Sequence, residues 1–307
     1  MAFETPILFI TFNRPSHTSK VFERIREVKP KYLFVVSDGP RPNHPDDAEK
    51  IMKVRELVCA GIDWDCELKT LFRQENLGCG YGPANAITWF FSQIEEGIIL
   101  EDDCLPSASF FRFCRNLLAE YRDETRVMAV SGFNYFGKWQ SDNYDYFFSD
   151  GGNWGWASWR RAWKLFDYEM SSWLSSDAER KKDILAFYPD FDALYKKIIE
   201  QNYDAWDIQW HYARLYHQGV SITPVVNLVE NIGFDNFGTH TTSDFSGFSN
   251  LKSNEMLSFD KLKGPKDIQI DLAFRYKLLE SLAGPRQKKI IFEPFVNLLR
   301  KLKKQLA

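Results

Sequence analysis

The stretch IILEDDCLP, residues 98–106, decides the fold. A short apolar run ends in Glu101, Asp102 and Asp103, and Pro106 then turns the chain. Adjacent anions repel one another and resist desolvation, so three of them at the end of a buried strand require something positive nearby. Capping the helix expected from about residue 107 would occupy one carboxylate. A hard divalent cation, Mn2+ or Mg2+, accounts better for three, because it takes carboxylate oxygens and keeps positions open for water and phosphate.

Upstream of this stretch, β-rich apolar runs recur at 7–11, 32–37, 66–72 and 97–100, with another downstream at 126–131. Segments of helical spacing lie between them, near 16–28, 44–60, 81–94 and 107–121. Such alternation predicts an α/β fold with a mostly parallel sheet flanked by helices. Ligands of such sheets bind beyond the carboxyl ends of the strands. The residues to inspect are therefore Asn13 and Arg14 after the first strand, Asp38 after the second, Gln74 to Asn76 after the third, and the acidic triplet after the fourth. The Gly78-x-Gly80-x-Gly82 run is not a phosphate loop, since no Lys-Ser/Thr follows.

With 307 residues and 44% hydrophobic side chains, the chain can bury a large core, and a net charge of −3 argues against nucleic acid as a partner. Five scattered cysteines without a CxxC pair fit a reducing compartment. No apolar run approaches the ~20 residues that cross a bilayer. Together these features predict a cytoplasmic protein.

The character changes near residue 132. Residues 1–131 form the first half, 132–285 a second half of the same domain, and 286–307 a basic amphipathic C-terminal helix. The second half holds the aromatic stretch with Trp154 and Trp156, a helix expected over 204–219, a strand expected over 221–229 and a long polar loop containing His240. Trp159 and Trp163, at i, i+4 spacing, read as core. The tail carries seven Lys or Arg against one Glu, a surplus of +6, with Phe295, Leu298, Leu299, Leu302 and Leu306 on one face. Such a helix can lie on an anionic membrane surface, here the inner face of the cell membrane, or dock on its own domain.

The segment NLGCGYGPANAITWFFSQIEEGIILEDD (76–103), with PILFITFNRP, LFVVSDGP, VMAVSGFN, NWGWASWRRAW and WDIQW in order around it, resembles glycosyltransferases of the GT-A fold. The similarity is to the N-acetylglucosaminyltransferase I group and its bacterial relatives, over roughly residues 5 to 245. Two departures stand out. Ala84 replaces an Arg frequent before Asn85 in the larger family, and the Trp-Asp-Asp-Trp of the group is Trp206-Asp207-Ile208-Gln209-Trp210 here. The resemblance implies a nucleotide half followed by an acceptor half, and an inverting transfer from a UDP-linked sugar to a glycan or lipid-linked glycan in bacterial surface polysaccharide assembly.

By that resemblance Asp38 binds the base, Arg14 lies near the diphosphate, and Thr11, Asn13 and Asn85 complete the nucleotide-sugar contacts. Asp103 is the direct metal ligand, with Glu101 and Asp102 on sugar, ribose or metal-bound water. His240 reaches the metal or the diphosphate when its loop closes over the donor, and Trp154 and Trp156 take the acceptor. Asp207 is the expected general base, its carboxyl raised by the flanking indoles Trp206 and Trp210, with Asp204 as the fallback. A sugar nucleotidyltransferase is the alternative, although its usual Gly-rich loop after the first strand is missing from TFNRPSHTSK. A non-catalytic carbohydrate- or membrane-binding relative is the third reading.

Overall fold

The structure, a computed structural model, describes residues 3–139, 144–201, 203–234, 251–256 and 261–282. Strands β1 (Ile7–Thr11), β2 (Tyr32–Ser37), β3 (Glu67–Phe72) and β4 (Glu96–Glu101) run parallel. Helices α1 (Pro15–Val28), α2 (Asp47–Gly61) and α3 (Tyr81–Gln93) connect them. The short β5 (Cys104–Pro106), α4 (Ala108–Glu120) and β6 (Val127–Ser131) follow. Side chains alternate across the sheet and both faces are apolar. Ile7, Phe9, Leu33, Val35, Ile98 and Leu100 pack with Val21 and Ile25 of α1 and Phe110 and Leu117 of α4. Leu8, Phe34, Val36 and Ile99 pack on the other face with Ile87 and Phe90 of α3.

The aromatic stretch contributes two strands that its composition concealed, β7 (Tyr146–Ser149) and β8 (Trp156–Trp159), followed by the single-turn α5 (Arg160–Trp163). Helices α6 (Ala178–Phe187), α7 (Phe191–Ile199) and α8 (Asp207–Tyr216) lead to β9 (Val220–Pro224) and β10 (Val229–Asn231), and α9 (Leu272–Leu282) comes last. The eight-stranded sheet has the order β3-β2-β1-β4-β8-β6-β9-β7, and β10 pairs with β5 in a separate ribbon. Strand β8 lies antiparallel between β4 and β6, so both halves of the chain share one sheet.

Two expected elements are shorter than their patterns. The strand expected over 221–229 ends at Pro224, which has no N–H for a ladder, and Asn227 then spends its amide on the Val229 and Lys252 carbonyls. The helix expected over 204–219 starts only at Asp207, after Trp206 at a non-helical φ of −131°. It ends at Tyr216, before Gln218 takes a left-handed φ of 54°. Trp159 and Trp163 are core as expected, although not on one helix face, since Trp159 ends β8 and Trp163 ends α5. Among the described residues no helix is long and apolar enough to cross a membrane. The tail 286–307 and His240 lie outside the described residues.

Candidate active site

Thr11 pairs with Ser37 and Ile10 with Glu101 in the sheet register, so the ends of β1, β2 and β4 meet at one edge. A cleft of about 570 Å³ opens there. Four cations line it, Arg14, Arg41, Lys50 and Arg73, together with the carboxylates of Asp38, Glu101, Asp102 and Asp204. A more open and mostly apolar depression of about 650 Å³ lies against α2, lined by Ile51, Met52 and Cys59.

The positive partner that the triplet demanded is Arg14. Its Nη2 donates to Asp102 Oδ1, and its Nη1 donates to Asp103 Oδ2 at 3.1 Å. Burial opposes the Arg14 charge, but Asp102 and Asp103 more than offset it and hold the guanidinium firmly protonated. Asp102, 2% exposed, also accepts from the Phe12 N–H at 3.4 Å. Burial pushes the Glu101 carboxyl up to about 8, Asp103 and Asp102 push further, and Arg14 pulls back.

Asp38 is buried at the end of β2. Its Oδ2 accepts the Leu77 N–H at 2.9 Å, and Arg73 Nη1 lies 3.5 Å from Oδ1. Burial raises this carboxyl above the ordinary Asp range, against the pull of Leu77 and Arg73. Arg73 Nη2 also donates to the Gly82 carbonyl at 3.1 Å and to Asn85 Oδ1 at 2.8 Å, so Asn85 braces Arg73. Arg73 directly follows β3, one residue before the stretch that the sequence reading inspected. Arg41 and Lys50 carried no sequence signal.

Asn13 donates to Asp47 Oδ1 at 2.6 Å, and Arg41 grips the same carboxylate at 2.8 and 3.0 Å. Burial would raise Asp47, but the hydrogen bonds from Arg41 and Asn13 outweigh it and hold it at about 2. The Thr11 hydroxyl donates to the Val36 carbonyl at 3.1 Å, so its proton ties β1 to β2.

Asp207 is exposed at the first position of α8. Its negative charge helps to raise the carboxyl of Glu101 and the phenols of Tyr135 and Tyr188, after burial as the main cause. The indoles beside it do not enclose it. Trp206 and Trp210 are buried, with ring centroids 5.9 and 5.7 Å from that of Trp156, and they anchor the helix instead. Trp156 is itself 1% exposed in this cluster, so it offers no face to a sugar, which corrects its expected acceptor role. Trp154 is half-buried, edge-on to Phe133 at 4.5 Å and to Phe234 at 5.4 Å. Asp204 accepts the backbone N–H groups of Cys79 and Gly80, both at 2.7 Å, which removes it as a rival base.

Among the described residues no three His, Cys, Asp or Glu side chains are grouped to enclose a metal ion. The donor set fits a hard cation held by one carboxylate and completed by phosphate oxygens. Asp103 suits that role, since Arg14 engages its Oδ2 while its Oδ1 meets only the Cys104 thiol, at 3.5 Å, among the contacts described.

No family model matches the chain, and no curated protein is similar to it. Solved structures are similar in outline. One is a UDP-glucose pyrophosphorylase complexed with UDP-glucose, 10% identical, covering 81% of this chain and 97% of that one at a TM-score of 0.38. An apo UDP-glucose pyrophosphorylase is 9% identical over 74% and 93% of the two chains, TM-score 0.37. A 4-diphosphocytidyl-2C-methyl-D-erythritol synthase from Anaerococcus prevotii is 10% identical over 61% and 85%, TM-score 0.32. None of these three is a glycosyltransferase, and likenesses this loose carry no functional argument. What the coordinates establish is the class of fold, an α/β architecture built on a large, mostly parallel sheet.

Proposed function

We propose that the protein is a glycosyltransferase that moves a sugar from a nucleotide donor, UDP-linked, to a hydroxyl of a glycan or lipid-linked glycan. The observation that carries this reading is the convergence at one sheet edge of Asp38, Arg14 and the carboxylates of residues 101–103, with Asp207 opening α8 three residues after Asp204, which itself lines the cleft. Asp38 accepts the imide N–H of the base while Arg73 and Asn85 hold it in place. Arg41 and Lys50 bring positive charge to the diphosphate side of the cleft. Asp207 takes the proton of the acceptor hydroxyl as its oxygen attacks the anomeric carbon. The bond from that carbon to the diphosphate oxygen breaks in line, which inverts the centre. A divalent ion bound at Asp103 would supply counter-charge to the leaving diphosphate. The setting that fits this chemistry is polysaccharide assembly at the inner face of a bacterial membrane.

A second reading, sugar nucleotidyl transfer, has one observation in its favour: four cations around one cleft could serve a triphosphate. Against it, the turn Phe12-Asn13-Arg14-Pro15-Ser16 contains no glycine to wrap phosphates. Incubation with Mn2+ and a panel of sugar nucleotides separates the two. Release of UDP, lost in Asp207→Asn by at least ~100-fold, supports sugar transfer. Pyrophosphate formed from UTP and a sugar 1-phosphate would replace it with nucleotidyl transfer.

A further inference from the structure

The glycine-rich turn between β3 and α3 has a use that its sequence did not disclose. Two carboxylates grip it, one at each end. Asp38 Oδ2 accepts the Leu77 N–H at 2.9 Å, and Asp204 accepts Cys79 N–H through Oδ2 and Gly80 N–H through Oδ1, each at 2.7 Å. The Cys79 thiol adds a contact to Asp204 Oδ2 at 3.2 Å. Glycine is required for this approach. A Cβ at position 78 would stand 2.3 Å from Asp204 Oδ2, and one at position 80 would stand 2.4 Å from Oδ1 and 2.6 Å from Ala205 N. Gly78 also has φ +81°, in the left-handed region.

Asp204 lies 125 residues from Cys79 in sequence and three before Asp207, the first residue of α8. The carboxylate therefore pins the start of α8 to the start of α3. The same turn continues into the Gly82 carbonyl and Asn85, which hold Arg73 against Asp38. Polar contacts thus run from Asp38 through the 77–80 turn to Asp204, and three residues of backbone lead from there to Asp207.

We propose that Asp204 is the positioning residue for Asp207, clamping the 77–80 turn so that the nucleotide half of the site sets where the base stands. This rests on the reading of Asp207 as general base. In physical terms, the two N–H groups of Cys79 and Gly80 fix one end of a three-residue lever whose other end is the reacting carboxylate. A base displaced by about 1 Å loses roughly 100-fold in rate. The turn also touches Asp38 through the Leu77 N–H, which bears on donor affinity, so the effect that passes through Asp207 is read in kcat and not in KM.

The test is UDP release from whichever UDP-sugar the wild-type protein turns over fastest, with Mn2+ present and water serving as acceptor when no glycan is added. Asp204→Ala should lower kcat at least 10-fold. Asp204→Asn, which keeps one oxygen acceptor for one of the two N–H groups, should recover a substantial part of the loss. In the Asp207→Asn background, Asp204→Ala should cost less than 2-fold further, because there is no longer a base to place. A full additional 10-fold loss in that background would overturn the proposal, for Asp204 would then act on the reaction directly. Equal kcat for Asp204→Ala and wild type would overturn it as well. If Asp204→Ala does not fold, Gly80→Ala disturbs the same contact from the other side, and the same comparison against Asp207→Asn decides. Wild-type turnover in Asp207→Asn alone would refute the base assignment itself, a separate outcome from failure of the clamp.

Discussion

Replacing Arg14 by Met would leave Asp102 and Asp103 without the guanidinium that now bridges them. Asp102 is 2% exposed, so water cannot take over, and removal of one partner of a buried ion pair costs about 3–5 kcal/mol. Arg14 keeps 18% side-chain exposure, which places the expected loss near the lower bound, about 3 kcal/mol. For a chain of 307 residues, with an unfolding entropy of roughly 2.1 cal/mol/K per residue, that corresponds to a fall in Tm of about 5 °C. Scanning calorimetry in EDTA, where no added cation can substitute, measures it. The decisive variant is Arg14→Met with Asp102→Asn. If the cost is an unpaired buried charge, neutralising Asp102 should return most of it, since loss of both partners is far milder than loss of one. Losses that simply add, or an Arg14→Met protein as stable as wild type, would refute the claim that Arg14 answers the triplet.

Three further outcomes follow from particular contacts. Asp38→Ala should weaken UDP binding by at least ~10-fold in calorimetric titration while leaving Arg73 unbalanced, and unchanged affinity would remove Asp38 from the base site. Asp47 is held at about 2 in the fold against an ordinary value near 3.8, so its ionised form stabilises the protein above the unfolded value, and that contribution fades as pH falls from about 4 towards 2. Asp47→Asn should therefore cost about 2 kcal/mol at pH 7 and progressively less in acid, read by denaturant melts at both pH values. Trp156→Ala should cost about 3–5 kcal/mol of stability as a core deletion, whereas Trp154→Ala should cost much less, read from urea midpoints.

The parallel strands were legible because β1, β2 and β4 are apolar on both faces, a pattern that needs helices above and below. Strands β7 and β8 were not, since YFFS and WASW sit inside a run of aromatics and glycines where period two cannot be separated from anything else. The need for positive charge beside residues 101–103 could be read directly from those residues. Its source could not be, because Arg14 is 89 residues from Asp103 and meets it only through the pairing of β1 with β4. Asp207 was legible as a candidate, but its flanking indoles do not enclose it, because Trp206 and Trp210 are buried in the core.

Strand direction explains why residues from six separate stretches meet at one edge. Strands β1, β2, β3 and β4 are parallel, so Arg14, Asp38, Arg73 and the triplet all leave the sheet at its carboxyl side. Strand β8 runs the other way, with Trp156 opposite Ile99 and Trp159 opposite Glu96, so the turn that precedes it, ending at Trp154 and Gly155, arrives at that side too. Strand β9 is parallel to β6, and β6 is antiparallel to β8, which aligns β9 with β4. A helix that feeds a strand must run opposite to it, so α8 before β9 and α3 before β4 both begin at the carboxyl edge. Their first turns carry the positive ends of two helix dipoles. One is capped by Asp204 from across the chain, and the other carries Asp207 in its first turn, where the dipole favours the ionised carboxylate that a general base needs. The antiparallel insertion of β8 is thus what brings the first and second halves of the chain to one edge of one sheet.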